Sequence, residues 1–417
     1  MKILVISQYF PPEPGAPSNR IKAFVEAMVE RGHEVTVICQ FPNYPSGILD
    51  KNDRWRLFRR EKNSGYSILR CFVLTFRRKN NVKRMLYYLS FACTSFLAAI
   101  CLRRREVVFA SSPPIFFVFG AMLAARLKRS RFVADIRDLW PDSAREVEAV
   151  ASPRLLKWGG CLETSIYYRA DRLFTISAGL KDVIEKRGGQ GKTDIVYNGS
   201  VEDFIVWNKD RPALREKFGW KNKIVITYAG VVGLGQDIVS LIPELRKLRS
   251  GDLLFNFIGD GPQKSTLETE VGRAGLTNVE FHQHMPMEQA IDYICCSDVM
   301  LVILRECDLF RSAIPSKFFD GMAAGLPVVT NVDGELRTLL EANNTGLYFT
   351  LKQNGAFADA IIKLASEGEL RKTMGENGRR LVKTNFLRKH QARKAVETIE
   401  AIVGQSAPPR TSDGYRR

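Results

Sequence analysis

The sequence predicts an α/β protein built from two consecutive doubly wound units, and three observations predict this class. Short apolar runs rich in β-branched residues alternate with amphipathic helical segments, as in parallel sheets. The alternation pauses at residues 190–210 and restarts at Lys223. The 417 residues are enough for two cores, and contents of 45% hydrophobic and 26% charged residues are ordinary for a globular protein.

The first unit opens with a predicted βαβ element. A strand over 2–7 leads into a proline-rich loop, and a helix is predicted from Ile21 to Arg31 before a strand over 35–39. Further strands are predicted at 107–110, 132–136, 173–177 and 194–197, with helices at 115–126 and 155–170.

The proline-rich loop carries Gly15 at the carboxyl end of the first strand, where open α/β sheets bind ligands. No G-x-G-x-x-G occurs there, so the dinucleotide fingerprint is missing. Gly15 could belong to a rigid connector or could let the backbone approach a phosphate. Arg20 could equally be a solvated residue or an anion ligand.

Between Lys51 and Arg105 the chain has fifteen Lys and Arg against two acidic residues, with aromatic residues interleaved. This composition suits nucleic acid, an anionic membrane surface or a solvated basic face. The 18 residues from Met85 to Leu102 lack charge and lie between Lys83-Arg84 and Arg103-Arg104-Arg105. We interpret them as a buried or interfacial helix rather than a span, and we favour the membrane surface.

A cluster of charged residues and a tryptophan follows the strand at 132–136. Asp135, Arg137, Asp138 and Trp140 lie at this carboxyl edge, where they suit a hydroxylated acceptor. The alternative is a structural Arg–Asp pair.

In the second unit, strands at 224–228 and 253–258 each end in a glycine-bearing loop that could hold a phosphate. The stretch from Arg311 to Glu335 predicts a helix capped by Ser316, ended by Gly325 and followed by a buried strand over 326–330. Further strands are predicted at 278–281 and 299–304, with helices at 287–295 and from 355 to about 404.

The composition also excludes several chemistries. The four histidines form no metal-ligand pattern, the eight cysteines contain no C-x-x-C pair, and no nucleophile elbow occurs. We therefore expect no metal, no cofactor and reduced thiols. What remains is group transfer, with backbone amides and Lys317 neutralising a diphosphate leaving group.

At this point the motifs are similar to those of a known family. The chain resembles the retaining GT-B-fold glycosyltransferases of family four, in the branch that adds N-acetyl-L-fucosamine-like sugars during bacterial O-antigen or capsule assembly. The matching stretches are QYFPPEPGAPSNR (8–20), RGHEVTVIC (31–39), FPNYPSG (41–47), DIRDLWPDS (135–143), YAGVVGLGQDI (228–238), IGDGP (258–262) and IPSKFFDGMAAGLPVV (314–329).

The resemblance implies roles for individual residues. Catalytic roles fall to Asp138, Lys317 and Asp320, the last of which would hold the ribose. Donor binding is assigned to Gly15, Gly230, Gly233, Gln236, Gly259, Gly261, Pro315, Ser316, Lys317 and Asp320. Acceptor binding is assigned to Arg20, Asp135, Arg137 and Trp140.

The chain departs from the family pattern at three places. Asp320 stands where the family has a glutamate, and Ser312 stands where many relatives have a second one. The usual Arg and Lys after the first C-terminal strand are missing, and Gln236 lies near where the Lys would fall.

These features give one interpretation of the whole chain. We expect an acceptor domain at 1–200, a donor domain at 201–385 facing it across a central cleft, a helix at 386–404 that could pack back on the first domain, and a disordered tail at 405–417. The expected enzyme is peripheral on the cytoplasmic membrane and moves a sugar from a UDP-linked donor to a polyprenyl-diphosphate acceptor. The alternatives are a sugar-nucleotide 2-epimerase and a non-catalytic membrane or nucleic-acid binder.

Overall fold

The computed structural model describes residues 1–43, 47–76, 81–140, 142 and 153–404. This part of the chain forms two compact units. The first contains Met1–Thr175, Lys181–Val196 and the chain from Ala392 onward, and the second contains Ile176–Leu180 and Tyr197–Gln391. The predicted tail at 405–417 lies outside the described residues.

The first unit is built on an eight-stranded sheet in the order β3-β4-β2-β1-β5-β6-β7-β8. All neighbouring strands are parallel except the edge pair β3–β4. The strands are β1 Lys2–Ile6, β2 Glu34–Gln40, β3 Phe58–Asn63, β4 Tyr66–Cys71, β5 Val107–Ser111, β6 Arg131–Ile136, β7 Arg172–Thr175 and β8 Thr193–Ile195.

The described helices that follow in the chain are α1 Ala16–Glu30, α2 Asn81–Cys101, α3 Ile115–Leu127, α4 Pro153–Arg169 and α5 Ala178–Ile184, with a π-turn at Glu185–Gly189.

The second unit is built on a six-stranded parallel sheet in the order β11-β10-β9-β12-β13-β14. Its strands are β9 Ile224–Ala229, β10 Leu253–Ile258, β11 Val279–His282, β12 Val299–Val302, β13 Val328–Thr330 and β14 Gly346–Tyr348. Its helices are α6 Glu202–Val206, α7 Arg211–Lys217, α8 Ile242–Leu245, α9 Lys264–Arg273, α10 Met287–Cys295, α11 Ser316–Ala323, α12 Glu335–Ala342, α13 Ala356–Ser366 and α14 Gly368–Leu381.

The last described helix, α15 (Arg388–Gly404), packs on the first unit. Its Val396 and Ile399 are fully buried in the same apolar cluster as Phe24 of α1. Arg31 adds an ion pair to Glu400, with 2.6 Å between Nη2 and Oε2. The helix therefore completes the core on the α1 face of the first sheet.

The parallel αβ alternation predicted from the sequence is confirmed, and each unit is a doubly wound Rossmann-like sheet. Helix α1 begins earlier than predicted, at Ala16 and not at Ile21. Pro17 is compatible with a first helical turn, where its missing N–H is not needed. The loop is therefore shorter than predicted, and Gly15 becomes the N-cap residue.

The sequence analysis did not identify the β3–β4 hairpin, which lies within the basic region. Its signal is the Asn63-Ser64-Gly65 turn, where Gly65 has a φ of 87°. The polar side chains of β3 hid its strand character, because an edge strand has little to bury.

Helix α2 confirms a helix near the predicted 85–102. By length and composition the stretch Val82–Cys101 is apolar enough to cross a membrane, and a third of it is buried. Such composition also occurs in core helices of soluble proteins.

Candidate functional site

The candidate site includes the N-terminus of helix α11, whose first turn differs from the prediction. Pro315, with φ −62° and ψ 141°, is the N-cap residue, and no side chain caps the helix. The prediction that Ser316 is the N-cap is therefore wrong. Instead, the Pro315 carbonyl accepts a hydrogen bond from Phe318 N at 3.0 Å. A helix start without a side-chain cap can offer backbone N–H groups to an anion.

The apolar face of α11 fixes its position, as the sequence predicted. Phe318, Phe319, Met322 and Ala323 are each 0% exposed. Gly325 ends the helix with a φ of 77°. The polar face of the first turn, with Lys317, is thus held rigidly at the carboxyl edge of the sheet.

Lys317 Nζ lies 3.6 Å from the centroid of the Tyr228 ring, within cation–π range. It also lies against Gly230, where a Cβ would be 3.0 Å from Nζ. Tyr228 is the fifth residue of β9, and Gly230 follows that strand directly. The lysine predicted for the diphosphate therefore meets the first glycine loop.

The ammonium of Lys317 is partly accessible but crowded by protein atoms. Desolvation by this surrounding lowers the pKa of Lys317 to about 7, and the nearby charge of Asp320 opposes the shift. A desolvated ammonium is energetically unfavourable in the free protein. A bound anion offsets this penalty, because its charge and hydrogen bonds replace the lost solvation.

Asp320 lies one helical turn after Ser316 and is already hydrogen-bonded. Ser200 Oγ donates to Asp320 Oδ1 at 2.6 Å. Desolvation raises the pKa of Asp320, against the opposing effects of Arg388, Ser200 and Lys317. Its predicted role as ribose ligand stays a prediction, and the structure adds a contact to the chain after β8.

The glycine loops after β9 and β10 pack backbone against backbone. A Cβ on Gly259 would overlap the Gly230 carbonyl, and a Cβ on Gly261 would overlap the Val232 carbonyl. Gly230 N donates to Ile258 O at 2.9 Å and Val232 N donates to Asp260 O at 3.0 Å. Glycine is therefore required where these two loops meet.

Gly233 and Gln236 form a turn just beyond this contact. Gln236 N donates to Gly233 O at 3.0 Å, and a Cβ on Gly233 would lie 3.1 Å from Gln236 Oε1. Their predicted role in donor binding is untested by this geometry.

In the first unit, Gly15 is exposed and caps α1 with a φ of 117°. A Cβ there would meet only Pro17 Cδ at 3.7 Å. The position therefore selects glycine through its backbone conformation, and space remains beside it. The 15-residue α1 also starts without a side-chain cap.

Arg20 and Asp135 were predicted to face the acceptor, but they form a buried ion pair. Arg20 Nη2 lies 2.8 Å from Asp135 Oδ1, and the side chains are 3% and 0% exposed. Ser111 Oγ also donates to Asp135 Oδ2 at 2.7 Å. Arg20 is therefore buried and paired rather than solvated. Little of either side chain is exposed, and the predicted acceptor roles of Arg20 and Asp135 stay predictions.

Arg137, Asp138 and Trp140 lie at the carboxyl end of β6. Arg137 Nε donates to Ser111 Oγ at 3.1 Å, and desolvation lowers the pKa of Arg137 to about 10 against the influence of Asp135. Trp140 packs edge-on against Phe116 of α3, with ring centroids 5.0 Å apart. Arg137 Nε also lies 3.7 Å from Asp135 Oδ2, and its side chain is only 10% exposed, whereas Asp138 is half-buried at the same edge. Their predicted acceptor roles stay predictions.

Within the described ranges, no group of three His, Cys, Asp or Glu side chains could hold a metal ion.

Models of known protein families match residues in both units. Residues 15–199 match the glycosyl transferase 4-like domain, and residues 210–381 match the glycosyl transferases group 1 model. The chain belongs to the glycosyltransferases. The matched ranges contain most of the predicted donor residues, and the second includes Lys317, Asp320 and the glycine loops of this glycosyltransferase.

Among similar proteins is WcaI of Escherichia coli (strain K12), described as a colanic acid biosynthesis glycosyl transferase. It is 27% identical over 337 residues, covering 78% of this chain and 82% of its own. Sucrose-phosphate synthase from Thermosynechococcus elongatus has a TM-score of 0.74 at 17% identity, over 96% and 98% of the chains. Anabaena HepE in complex with UDP-glucose has a TM-score of 0.72 at 16% identity, over 96% and 100%. These structures share the fold of this glycosyltransferase.

Three residues around this site were not predicted from the sequence. Tyr228 supports Lys317, Ser200 binds Asp320, and Arg388 donates to the carbonyls of Asn198 and Gly199 at 3.1 and 3.2 Å. Tyr228 could have been noticed because it precedes the glycine loop. Ser200 and Arg388 meet Asp320 only through the fold, and no local pattern marks them.

Proposed function

We propose that this glycosyltransferase moves a sugar, with retention, from a UDP-linked donor to a polyprenyl-diphosphate acceptor in bacterial surface polysaccharide synthesis. The sugar is N-acetyl-L-fucosamine or a close relative. Similarity to a colanic acid biosynthesis protein supports the polysaccharide context, and the complex of HepE with UDP-glucose supports a UDP-linked donor.

One observation carries the donor part of the proposal, namely the position of Lys317. Its ammonium, the first turn of α11 and the Gly230 loop meet at the carboxyl edge of one parallel sheet. This is where doubly wound sheets bind phosphates, through a helix N-terminus and a close backbone. A nucleoside diphosphate matches that combination of donors and charge.

In the proposed reaction, this site stabilises the leaving group. Lys317 and the N–H groups of α11 neutralise the charge that develops on the β-phosphate as the glycosidic bond breaks. The acceptor hydroxyl attacks from the same face, and the departing phosphate oxygen takes its proton. No metal is needed in this scheme, because Lys317 supplies the cation.

The acceptor part of the proposal rests on the first unit. Asp138 is half-buried at the end of β6, and the basic region from Lys51 to Arg105 suits an anionic lipid surface. We propose that the enzyme works on the cytoplasmic face of the membrane, where it meets a lipid-linked diphosphate sugar.

The test is a transfer assay with UDP-sugars and a short-chain polyprenyl-diphosphate acceptor. We expect acceptor-dependent release of UDP, a product with the anomeric configuration of the donor, and full activity in EDTA. Release should drop about 100-fold or more in Lys317→Met. Lys363→Met, at an exposed position on α13, is the matched control and should keep activity.

Two results would contradict the proposal. Conversion of the nucleotide sugar without acceptor would identify the 2-epimerase, an alternative that the transferase relatives do not favour. Binding to vesicles or DNA with no release of UDP from any donor would identify a non-catalytic binder.

A further inference from the structure

The first unit contains an apolar recess to which the proposed transfer reaction assigns no role. It has a volume of about 320 Å³ and lies between the β3–β4 hairpin and the last turn of α2. Its lining is apolar apart from one arginine. The lining residues are Phe58, Arg60, Leu69, Ala98, Cys101 and Leu102. Its volume is in the range of small-molecule sites, roughly 300–1,000 Å³.

The register of the hairpin explains the recess. Arg60 pairs with Leu69 across the two strands, and Phe58 lies two residues away on the same face. Helix α2 packs against β2 and β4, so this face of edge strand β3 extends beyond the helix. The small side chains of Ala98 and Cys101 leave room there, and Phe58 stays 40% exposed.

The recess continues into an apolar stripe along α2. Exposed positions recur every three or four residues, so they share one face of the 21-residue helix. They are Val82 (68% exposed), Leu86 (45%), Leu89 (41%), Leu97 (50%) and the thiols of Cys93 and Cys101. A soluble surface helix normally turns polar residues outward. This outward apolar face therefore fits a non-aqueous surface.

Exposed basic residues line the recess or flank its elements along the chain. Arg60 is exposed at the recess, Arg103 and Arg104 follow α2, and Lys83 is in its first turn. Arg54 and Arg56 lie in the loop before β3 beside Trp55, which is 94% exposed. Nucleic acid offers phosphates but no long aliphatic chain. An anionic lipid offers both, which matches an apolar recess with an arginine at its wall.

We propose that this recess binds one acyl chain of an anionic phospholipid, with Arg60 on the lipid phosphate and the α2 stripe on the bilayer. The inference rests on the proposed membrane location and not on the transfer chemistry. One lipid drawn into the recess orients the first unit, whereas the stripe and basic residues alone would allow rotation on the surface.

Three exposed cysteines allow a direct test on the full chain. Cys101 lines the recess, Cys93 lies on the stripe, and Cys161 on α4 lies outside both. Alkylation by a charged maleimide is followed for each thiol by mass spectrometry. Monomeric dihexanoyl phosphatidylglycerol should slow Cys101 at least fivefold and leave Cys93 and Cys161 unchanged. Phosphatidylglycerol vesicles should slow both Cys101 and Cys93.

Variants separate the two parts of the lipid. Arg60→Gln should weaken the protection of Cys101 by monomeric lipid about fivefold, equivalent to about 1 kcal/mol of binding free energy. Arg54→Gln, outside the recess, is its control and should keep protection. Cys101→Phe adds a ring at an exposed position and should abolish the preference of vesicle binding for long acyl chains, while UDP-sugar turnover with a soluble acceptor stays normal.

Three outcomes would overturn the proposal. Vesicles could protect Cys93 while monomeric lipid never protects Cys101, which would mean surface adsorption only. Phosphatidylcholine could protect Cys101 as well as phosphatidylglycerol, which would remove the role of Arg60. Farnesyl phosphate could protect Cys101 where phosphatidylglycerol does not, which would assign the recess to an isoprenoid chain. The proposed transferase function would survive each of these results.

Discussion

Lys317 is the residue on which the proposed donor site depends, and its surroundings affect its charge. The Tyr228 ring stabilises the ammonium, whereas desolvation lowers its pKa to about 7. Near neutral pH the free enzyme therefore holds a mixture of charged and neutral lysine. An arriving diphosphate shifts that mixture toward the charged form.

The stability of Lys317→Met should reveal this penalty. The folded-state pKa lies below the unfolded value of 10.5, so the fold disfavours the charged form fully below about pH 7 and not at all above about pH 10.5. Relative to the variant, the wild type should gain stability as pH rises between these limits. Urea unfolding at pH 7 and pH 9.5 measures the difference, and a pH-independent difference would contradict the burial of the charge.

Binding of UDP-glucose should take up a proton through the same lysine. Its diphosphate has no titrating group near pH 8, so the uptake reports on the protein. Calorimetry at pH 8 in two buffers of different ionisation enthalpy should give close to one proton. Affinity should fall up to about tenfold per pH unit above pH 7. Lys317→Met should take up none, and uptake that persists in this variant would place the titrating group elsewhere.

Asp135 should contribute more to the stability of the first unit than to binding of the acceptor. Asp135→Asn removes the carboxylate charge that faces the buried Arg20 guanidinium, which should destabilise the first unit by about 3–5 kcal/mol. The exposed pair Lys22–Glu26 is the control, and Glu26→Gln should cost less than about 1 kcal/mol. A stable Asp135→Asn protein with a raised acceptor KM would restore the predicted acceptor role.

At the scale of elements, the paired loops after β9 and β10 border the proposed donor site. Gly259, with a φ of 140°, lies directly on the Gly230 carbonyl. Any side chain there must separate the two loops, and Gly230 would then move away from Lys317. The loops are therefore one unit rather than two independent phosphate cradles.

Gly259→Ala should lower stability by about 1–3 kcal/mol and weaken UDP-sugar binding at least tenfold. Gly251→Ala is the matched control, because a Cβ there meets nothing within 4 Å. It should leave both properties unchanged. Thermal unfolding with and without UDP-glucose measures them, and normal binding by Gly259→Ala would contradict the coupling of the loops.

Elements with a strong local pattern could be predicted from the sequence. The buried face of α11 and the break at Gly325 follow from residue spacing, because each depends on neighbours along the chain. The β3–β4 hairpin could not be predicted as easily, since its polar edge strand lacks alternation. The predicted start of α1 was wrong because a helix tolerates a proline such as Pro17 in its first turn.

Contacts between residues far apart in the sequence could not be predicted for the site. Lys317 and the glycine loops could be named, because they follow strands in a regular α/β order. The pairing of Arg20 with Asp135 spans 115 residues, and that of Ser200 with Asp320 spans 120. Only the fold brings such partners together, so neither contact could be predicted from the sequence.

At the scale of the molecule, the net charge of +17 suits an enzyme whose ligands are anionic. A nucleoside diphosphate, a lipid diphosphate and an anionic bilayer would each be attracted. The proposed roles divide the ligands between the units, with the diphosphate donor at α11 in the second and the lipids on the first. Family matches to both units agree with a transferase.

The most direct test of the donor site is thermal unfolding of the wild type and Lys317→Met with UDP, GDP and dTDP sugars. A ligand of the folded state stabilises by about 2.7 kcal/mol at a hundredfold excess over Kd. The account predicts a midpoint raised by UDP-sugars in the wild type and unchanged in the variant. No shift with any nucleotide sugar, or an equal shift in both proteins, would contradict it.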